Sequence, residues 1–292
     1  MRVSVVVPAT SANLGPGFDC FGLALGMCNE VIADTDTAPG IFWEGEGADE
    51  LPRDGADVIS RTVASVAEQM GLPVPAYALH ARNAVPLERG LGSSSAAAVA
   101  GVALASALLG LGWHEDLQTV FAAAAGIEGH PDNAAPAVFG GLTLAMPDGF
   151  VRRLEPHPDL QPVLLVPDAR LPTSEARASL PETVSRADAV FNAAHAALMV
   201  EALTRDPSLL STALDDRLHE RARLAMVPAV ADAFDELRRA RVPVCVSGAG
   251  PTLLAFESAI APLPGWAEEW AGFGWRILRP GVRREGFEVA FG

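Results

Sequence analysis

The run Pro86-Leu87-Glu88-Arg89-Gly90-Leu91-Gly92-Ser93-Ser94-Ser95-Ala96 passes from a glycine-loosened loop through three adjacent hydroxyls into an alanine-rich stretch that favours helix. Gly90 and Gly92 permit positive φ and close approach of backbone to a ligand. Ser93 reads as a helix N-cap, and the unpaired N–H groups of a first turn carry the positive end of the helix dipole. Such a segment suits an anion, above all a phosphate. All 21 basic residues are arginines, so no lysine completes a GxxxxGK[ST] loop and that class of nucleotide binder is excluded. Phosphates bound here must be met by backbone amides, serine hydroxyls, arginine and a metal ion held by a carboxylate.

Three further segments join turn-forming residues to polar side chains. Pro8 to Asp19 (PATSANLGPGFD) places Asn13 and Asp19 on a loop stiffened by Pro16 and bent by Gly15 and Gly17. Glu128 to Pro136 (EGHPDNAAP) follows a helix-like alanine run and supplies Glu128, His130, Asp132 and Asn133 within six residues. Ser247 to Thr252 (SGAGPT) lies between two apolar segments, where Gly248 and Gly250 let backbone approach a neighbour or ligand. Taken singly, each has a plain structural explanation: serines cap helices, Asn and Asp beside glycine form turns, and SGAGP serves as a hairpin connection. Together they indicate one site assembled from distant parts of the chain.

The elements that must position these residues are legible as patterns. Strands are predicted at 3–7, 23–33, 76–81 and near 142–146, with helices over 58–70 and 94–109, an α+β arrangement. A proline-rich passage from Pro147 to Pro172, broken by an apolar strand at 163–166, marks a change of domain near residue 155. The second half reads as helices at 185–204 and 228–239, then strands at 242–246 and 252–256, an αβ sandwich on an antiparallel sheet.

Composition narrows the ligand. A net charge of −15 leaves no concentrated basic face for nucleic acid or an anionic membrane. Three cysteines with no CxxC spacing support neither a disulfide framework nor a zinc site, which suits a reducing cytosol. The opening residues lack the charged start and apolar core of a signal peptide. The apolar run from Ala96 to Leu111 is short, rich in alanine and glycine and without a basic flank, so it reads as a helix buried on all sides rather than a membrane span.

In order and spacing, VPATSANLGPGFDCFGLAL, PLERGLGSSSAAAVAG, EGHPDNAAPAVFGGLTL, LPTSEARASLP and VSGAGPTLLAF resemble the GHMP family of small-molecule kinases. SANLGPGFD together with EGHPDNAAP resembles its homoserine-phosphorylating branch, over roughly residues 3 to 257. The resemblance implies a two-domain α+β fold. Residues 1–155 would form a ribosomal-protein-S5-domain-2-like ATP-binding domain and 156–292 a ferredoxin-like αβ sandwich. It implies ATP as co-substrate, Mg²⁺, L-homoserine as acceptor, threonine biosynthesis as the setting and, as in many relatives, a homodimer. Residues 86–96 would wrap the phosphates, with Ser94 nearest the metal and Glu128 as the metal carboxylate. Asn13, Asp19, His130, Asn133, Thr173, Arg177 and Arg223 would surround the amino acid, and Glu128, Ser94 and Arg177 would carry the catalysis.

The charges suit a zwitterion, with Asp19 for its ammonium and Arg177 or Arg223 for its carboxylate. Two departures stand out: His219-Glu220-Arg221-Ala222-Arg223 where many relatives read HQPYR, which leaves Arg221 as a substitute for Arg223, and Asp57 where the family favours asparagine near the adenine. The rivals are a kinase of the same fold for another small alcohol, which Asp19 opposes, and a non-catalytic nucleotide or amino-acid sensor, which Glu128 opposes. From another class comes the GxSxG elbow of α/β-hydrolases, which needs a buried strand before the serine.

Overall fold

A computed structural model describes residues 1–258 and 262–292. Val3, Val5 and Val7 are fully buried while Ser4 and Val6 between them are not, the period-two alternation of a half-buried strand, and they open β1 (Arg2–Ala12), whose later residues are buried on both faces. β2 (Phe21–Asp34) returns antiparallel, with a register shift between Pro8 and Ala9 where proline offers no ladder donor. β3 (Gly40–Gly45), α1 (Val58–Met70) and β4 (Ala78–Asn83) follow, β3 and β4 pairing parallel. Then come α2 (Ser93–Leu108), α3 (Leu117–Glu128), α4 (Ala134–Phe139) and the hairpin of β5 (Leu142–Ala145) and β6 (Val151–Leu154). The second sheet contains β7 (Gln161–Pro167), β8 (Val244–Val246), β9 (Leu253–Glu257) and β10 (Trp275–Leu278) in the antiparallel order β10-β7-β9-β8. Before β8 lie α5 (Thr173–Ala178), α6 (Arg186–Thr204), α7 (Leu210–Ala213), α8 (Glu220–Ala225) and α9 (Pro228–Arg239), and α10 (Gly265–Glu268) precedes β10. The last strand, β11 (Glu288–Phe291), pairs with β1 and completes the first sheet of seven strands.

α2 explains the uniform alanine run. It has no polar stripe because it is enclosed on nearly every side by β1, α1, α3 and α4, and small side chains let those elements come close. At Gly101 an added Cβ would lie 2.5 Å from Thr62 Cβ of α1. Among the described residues, no helix is long and apolar enough to cross a membrane.

Three apolar clusters hold the layers together. The first lies between the first sheet and α1 to α4, and the third under α8, α9 and α10. The middle one joins the sheets, with Leu23, Leu25 and Leu142 from one and Leu164, Val166 and Phe256 from the other. β7 is divided strictly: Leu164 and Val166 face the middle cluster, Val163 and Leu165 the third. Burial on both faces is why this strand reads as an unbroken apolar run. β3 and the short α4 and α5 have no comparable pattern and emerge only in the structure.

Candidate active site

The serine loop is fixed by contacts from two distant segments, β1 and the SGAGPT loop. Gly90 and Gly92 have φ of 68° and 69°, and both are closely approached. A Cβ on Gly90 would sit 2.1 Å from the Ser247 carbonyl oxygen, and one on Gly92 1.9 Å from Thr10 Oγ1. Ser247 Oγ lies 2.8 Å from both Gly90 O and Ser11 Oγ, so the SGAGPT loop and β1 clamp the same turn. Ser93 is not the cap expected of it. Gly92 occupies that position in the left-handed region, no side chain caps α2, and all three serines lie in the first turn. The first-turn N–H groups therefore have no side-chain partner.

Glu128, at the end of α3, is brought to this helix tip. Ser94 Oγ donates to its Oε1 at 2.7 Å and Ser95 Oγ to its Oε2 at 2.6 Å. Gly129, with φ of 79°, then turns the chain so that His130, Asp132 and Asn133 follow along the same wall. His130 Nδ1 lies 3.2 Å from Asp132 Oδ1, and this carboxylate pushes the imidazole pKa up. Asn133 Oδ1 accepts from Thr10 Oγ1 at 2.8 Å. Arg89 lines the same cavity, but its guanidinium donates to the carbonyls of Leu87, Pro167 and Asp168, so it ties the loop to the end of β7.

Asn13, Thr173, Arg177 and Arg223 line the same small cavity, with Asp19 paired to Arg177 beside it. Asn13 is buried, donating through Nδ2 to Gly248 O at 2.9 Å and accepting the Asp19 N–H on Oδ1 at 2.9 Å. Asn13, Leu14 and Asp19 all have positive φ, from 49° to 68°, so this loop is conformationally costly and held by its contacts. Asp19 and Arg177 of α5 form a bidentate pair at 2.7 and 3.1 Å, which pushes the guanidinium pKa up. Thr173 opens α5 beside them. Arg223 of α8 is buried, donates to Gly248 O at 2.6 Å and keeps an unpartnered Nε. Burial and the nearby Arg177 charge pull its pKa down to about 10, still far above neutrality. Arg221 is exposed and paired with Asp235 at 2.8 Å, so the geometry favours Arg223 over its neighbour.

Two cavities meet at the helix tip. The smaller, about 120 Å³, gathers Asn13, Pro86, Glu88 to Ser95, Glu128, His130, Asn133, Thr173, Arg177 and Arg223. The larger, about 490 Å³, is half apolar and takes Leu87 and Ala96 with Val31, Trp43 and Val58. Glu88, Ser93 and Ser94 belong to both walls. Asp57 lines the larger one. Its Oδ1 accepts the Ser60 N–H and caps α1, while its buried Oδ2 has no partner.

Comparison with known proteins agrees with this geometry. Residues 57–141, from the start of α1 into the turn after α4, match the GHMP kinases N terminal domain. The homoserine kinase of Cutibacterium acnes is 45% identical over 263 residues, 88% of this chain and 89% of that one. The chain belongs to the homoserine kinase family. A homoserine kinase of Streptomyces coelicolor is 41% identical over 98% of this chain and 94% of its own. The crystal structure of homoserine kinase from Cytophaga hutchinsonii superposes with a TM-score of 0.81 at 27% identity, covering 99% and 97% of the two chains. The α+β fold is thus that of the GHMP kinases. A hydrolase elbow is ruled out by the fold: residues 84–92 before the serines are loop, with no strand entering the turn.

Sequence reasoning missed several parts of this family site. Thr10 and Ala249 lie inside segments that the sequence marks, but their contacts, and the place of His219, arise only because β1, α8 and the β8–β9 connection meet through tertiary folding. Of the larger cavity the sequence marks Asp57, beside the adenine position that the resemblance implies, but not the apolar walls from β2, β3, α1 and α2.

Proposed function

We propose that the chain transfers the γ-phosphoryl group of ATP to the side-chain hydroxyl of L-homoserine. The products are ADP and O-phospho-L-homoserine, in the cytoplasmic branch of metabolism that makes threonine. One observation carries the site assignment: the capless tip of α2 is the shared wall of a half-apolar cavity and a small polar one. A nucleoside fits the first, an amino acid the second, and the transferred phosphoryl lies between them. In this assignment the first 155 residues hold the nucleotide, and the segment from 156 supplies both acceptor arginines.

The residues present suit a magnesium ion. Glu128 and Ser94 offer hard oxygen donors in direct contact at the helix tip. Among the described residues no group of three or more His, Cys, Asp or Glu side chains forms an all-protein cage. One carboxylate acting together with substrate phosphates is the usual arrangement for magnesium. Glu128 and Ser94 would hold the ion, whose chemistry is to neutralise charge on the β and γ phosphates.

The chain's own groups do the rest by placement. First-turn amides of α2 bind phosphate oxygens, Asp19 takes the substrate ammonium, and Arg177 and Arg223 take its carboxylate. His130 and Asn133 border the acceptor hydroxyl. With a loose, metaphosphate-like transition state, alignment and charge neutralisation supply most of the rate, and no side chain is assigned as a strong base. ADP release dependent on both L-homoserine and Mg²⁺ tests the proposal. Equal release with mevalonate, or none with any amino alcohol, overturns it.

A further inference from the structure

His219 is held on both ring nitrogens deep inside the site wall. It is 1% exposed, its Nε2 lies 2.8 Å from Gly15 O, and its Nδ1 lies 2.9 Å from Arg223 Nη1. A guanidinium only donates, so Nδ1 must be the acceptor and Nε2–H the donor to the carbonyl. The ring is therefore a neutral Nε2–H tautomer. Burial pushes its pKa down and Arg223 adds repulsion, against a nearby Asp216 that pulls the other way. Asp216 Oδ2 accepts the His219 backbone N–H at 2.8 Å, and the Phe18 ring stacks on the imidazole at 5.2 Å.

The two partners of this ring belong to the two halves of the acceptor pocket. Gly15 sits within the positive-φ loop that carries Asn13 and Asp19. Arg223 is the buried guanidinium of the opposite wall, also anchored on Gly248 O, to which Asn13 donates as well. We propose that His219 is a positioning residue that aims the Arg223 guanidinium and locks it to the Asn13–Asp19 loop, so that acceptor binding depends on its neutral Nε2–H form. This rests on the assignment of Arg223 to the acceptor carboxylate. The imidazole touches neither substrate; it acts through the loop carbonyl on one side and the guanidinium on the other.

Steady-state kinetics on full-length variants, with homoserine and ATP varied separately, separates this from a role in stability alone. His219→Leu removes both bonds and is expected to raise the homoserine KM by about tenfold or more while the ATP KM moves by less than about twofold. His219→Gln offers an amide N–H to Gly15 and an oxygen to Arg223, and it should restore the homoserine KM to within about threefold of the parent. Equal shifts in both KM values, or a Gln variant as impaired as the Leu variant, overturn the proposal. Arg223→Lys is the control on the underlying assignment. If it leaves the homoserine KM unchanged, the carboxylate assignment fails; if it raises that KM while His219→Leu does not, only the positioning role fails. Should the Leu variant not fold, ¹⁵N shifts of the parent enzyme's His219 still decide. They should report an Nε2–H neutral ring across about pH 6 to 9, and a protonated or Nδ1–H ring overturns the proposal.

Discussion

Glu220 places a carboxylic acid where its charge is poorly tolerated, and that makes the stability of this protein depend on pH in a calculable way. The side chain is 3% exposed, and Oε1 accepts the Val246 N–H at 2.7 Å. Burial pushes its pKa up to about 8; Arg238 opposes this and Asp215 and Asp216 reinforce it. The folded protein thus keeps a proton that the unfolded chain, with an ordinary value of 4.5, has already released. Stability tied to the neutral acid is present in full below 4.5 and is lost as pH rises toward and through about 8. Within that window each pH unit costs about 1.4 kcal/mol. From about pH 6 to about pH 8 the loss is therefore about 2 kcal/mol, a large share of the ~5–15 kcal/mol that holds a typical domain.

Glu220→Gln isolates this contribution, because the amide keeps an acceptor for Val246 and cannot ionise. Urea unfolding of parent and variant at both pH values gives the difference between them, in which all other titrations cancel. The variant should be the more stable at about pH 8, by a gap about 2 kcal/mol wider than at about pH 6. A gap that stays constant with pH refutes the claim that Glu220 is a neutral acid in the folded state.

Other substitutions probe the site directly. Arg177→Ala leaves Asp19 without its bidentate partner and removes the proposed ligand of the substrate carboxylate. It should raise the homoserine KM by about tenfold or more and the ATP KM by less than about twofold, measured by varying each substrate. Glu128→Gln keeps the serine hydrogen bonds at lower strength but removes the charge at the tip of α2. It should lower kcat by about a hundredfold and raise the Mg²⁺ concentration giving half-maximal rate. Gly92→Ala puts a Cβ 1.9 Å from Thr10 Oγ1 at a φ of 69°, and thermal unfolding should show a loss of at least about 2 kcal/mol.

The parts legible in the sequence were those with a strong period or a short-range reason. α1 and α9 run over the predicted residues, 58–70 and 228–239, because α1 has a buried stripe of Ile59, Val63 and Val66, and α9 has Val230, Phe234 and Leu237. Asp57 and Gly71 also mark α1 at both ends by ordinary capping chemistry. β3 escaped because Gly40-Ile41-Phe42-Trp43 buries only the tryptophan well and leaves Phe42 exposed, so alternation is blurred. The cap at Gly92 was misplaced onto Ser93 for a physical reason. A serine cap at 93 would turn its hydroxyl onto the helix, whereas here Gly92 takes the left-handed backbone without cost, all three serines enter the first turn, and Ser94 and Ser95 reach Glu128. Motif resemblance named most of the polar side chains that line the small cavity, but not the groups packed behind them, because Gly15 meets His219 and Gly248 meets Arg223 across more than 20 residues of sequence.

The proposed assignment of charges also gives a reason for a zwitterionic acceptor. Asp19 and Arg177 are each other's partner, and both are only about one-third exposed, so neither is freely solvated when separated. In the proposed assignment an amino acid lying between them would give Asp19 an ammonium and Arg177 a carboxylate, so each side chain would exchange one opposite charge for another. A hydroxy acid without the ammonium would take Arg177 and leave Asp19 facing only like charge; an amino alcohol without the carboxylate would do the reverse. Either way one half-buried ion is stranded, with the penalty that attends breaking rather than replacing a pair. Arg223, held on the far wall by His219 and Gly248, makes the two cases unequal: with Arg177 close by, loss of the carboxylate strands two neighbouring guanidiniums, and loss of the ammonium strands one carboxylate. Discrimination against acceptors lacking the carboxylate should therefore be the stronger of the two, and it follows from the pairing of side chains rather than from the size of the cavity.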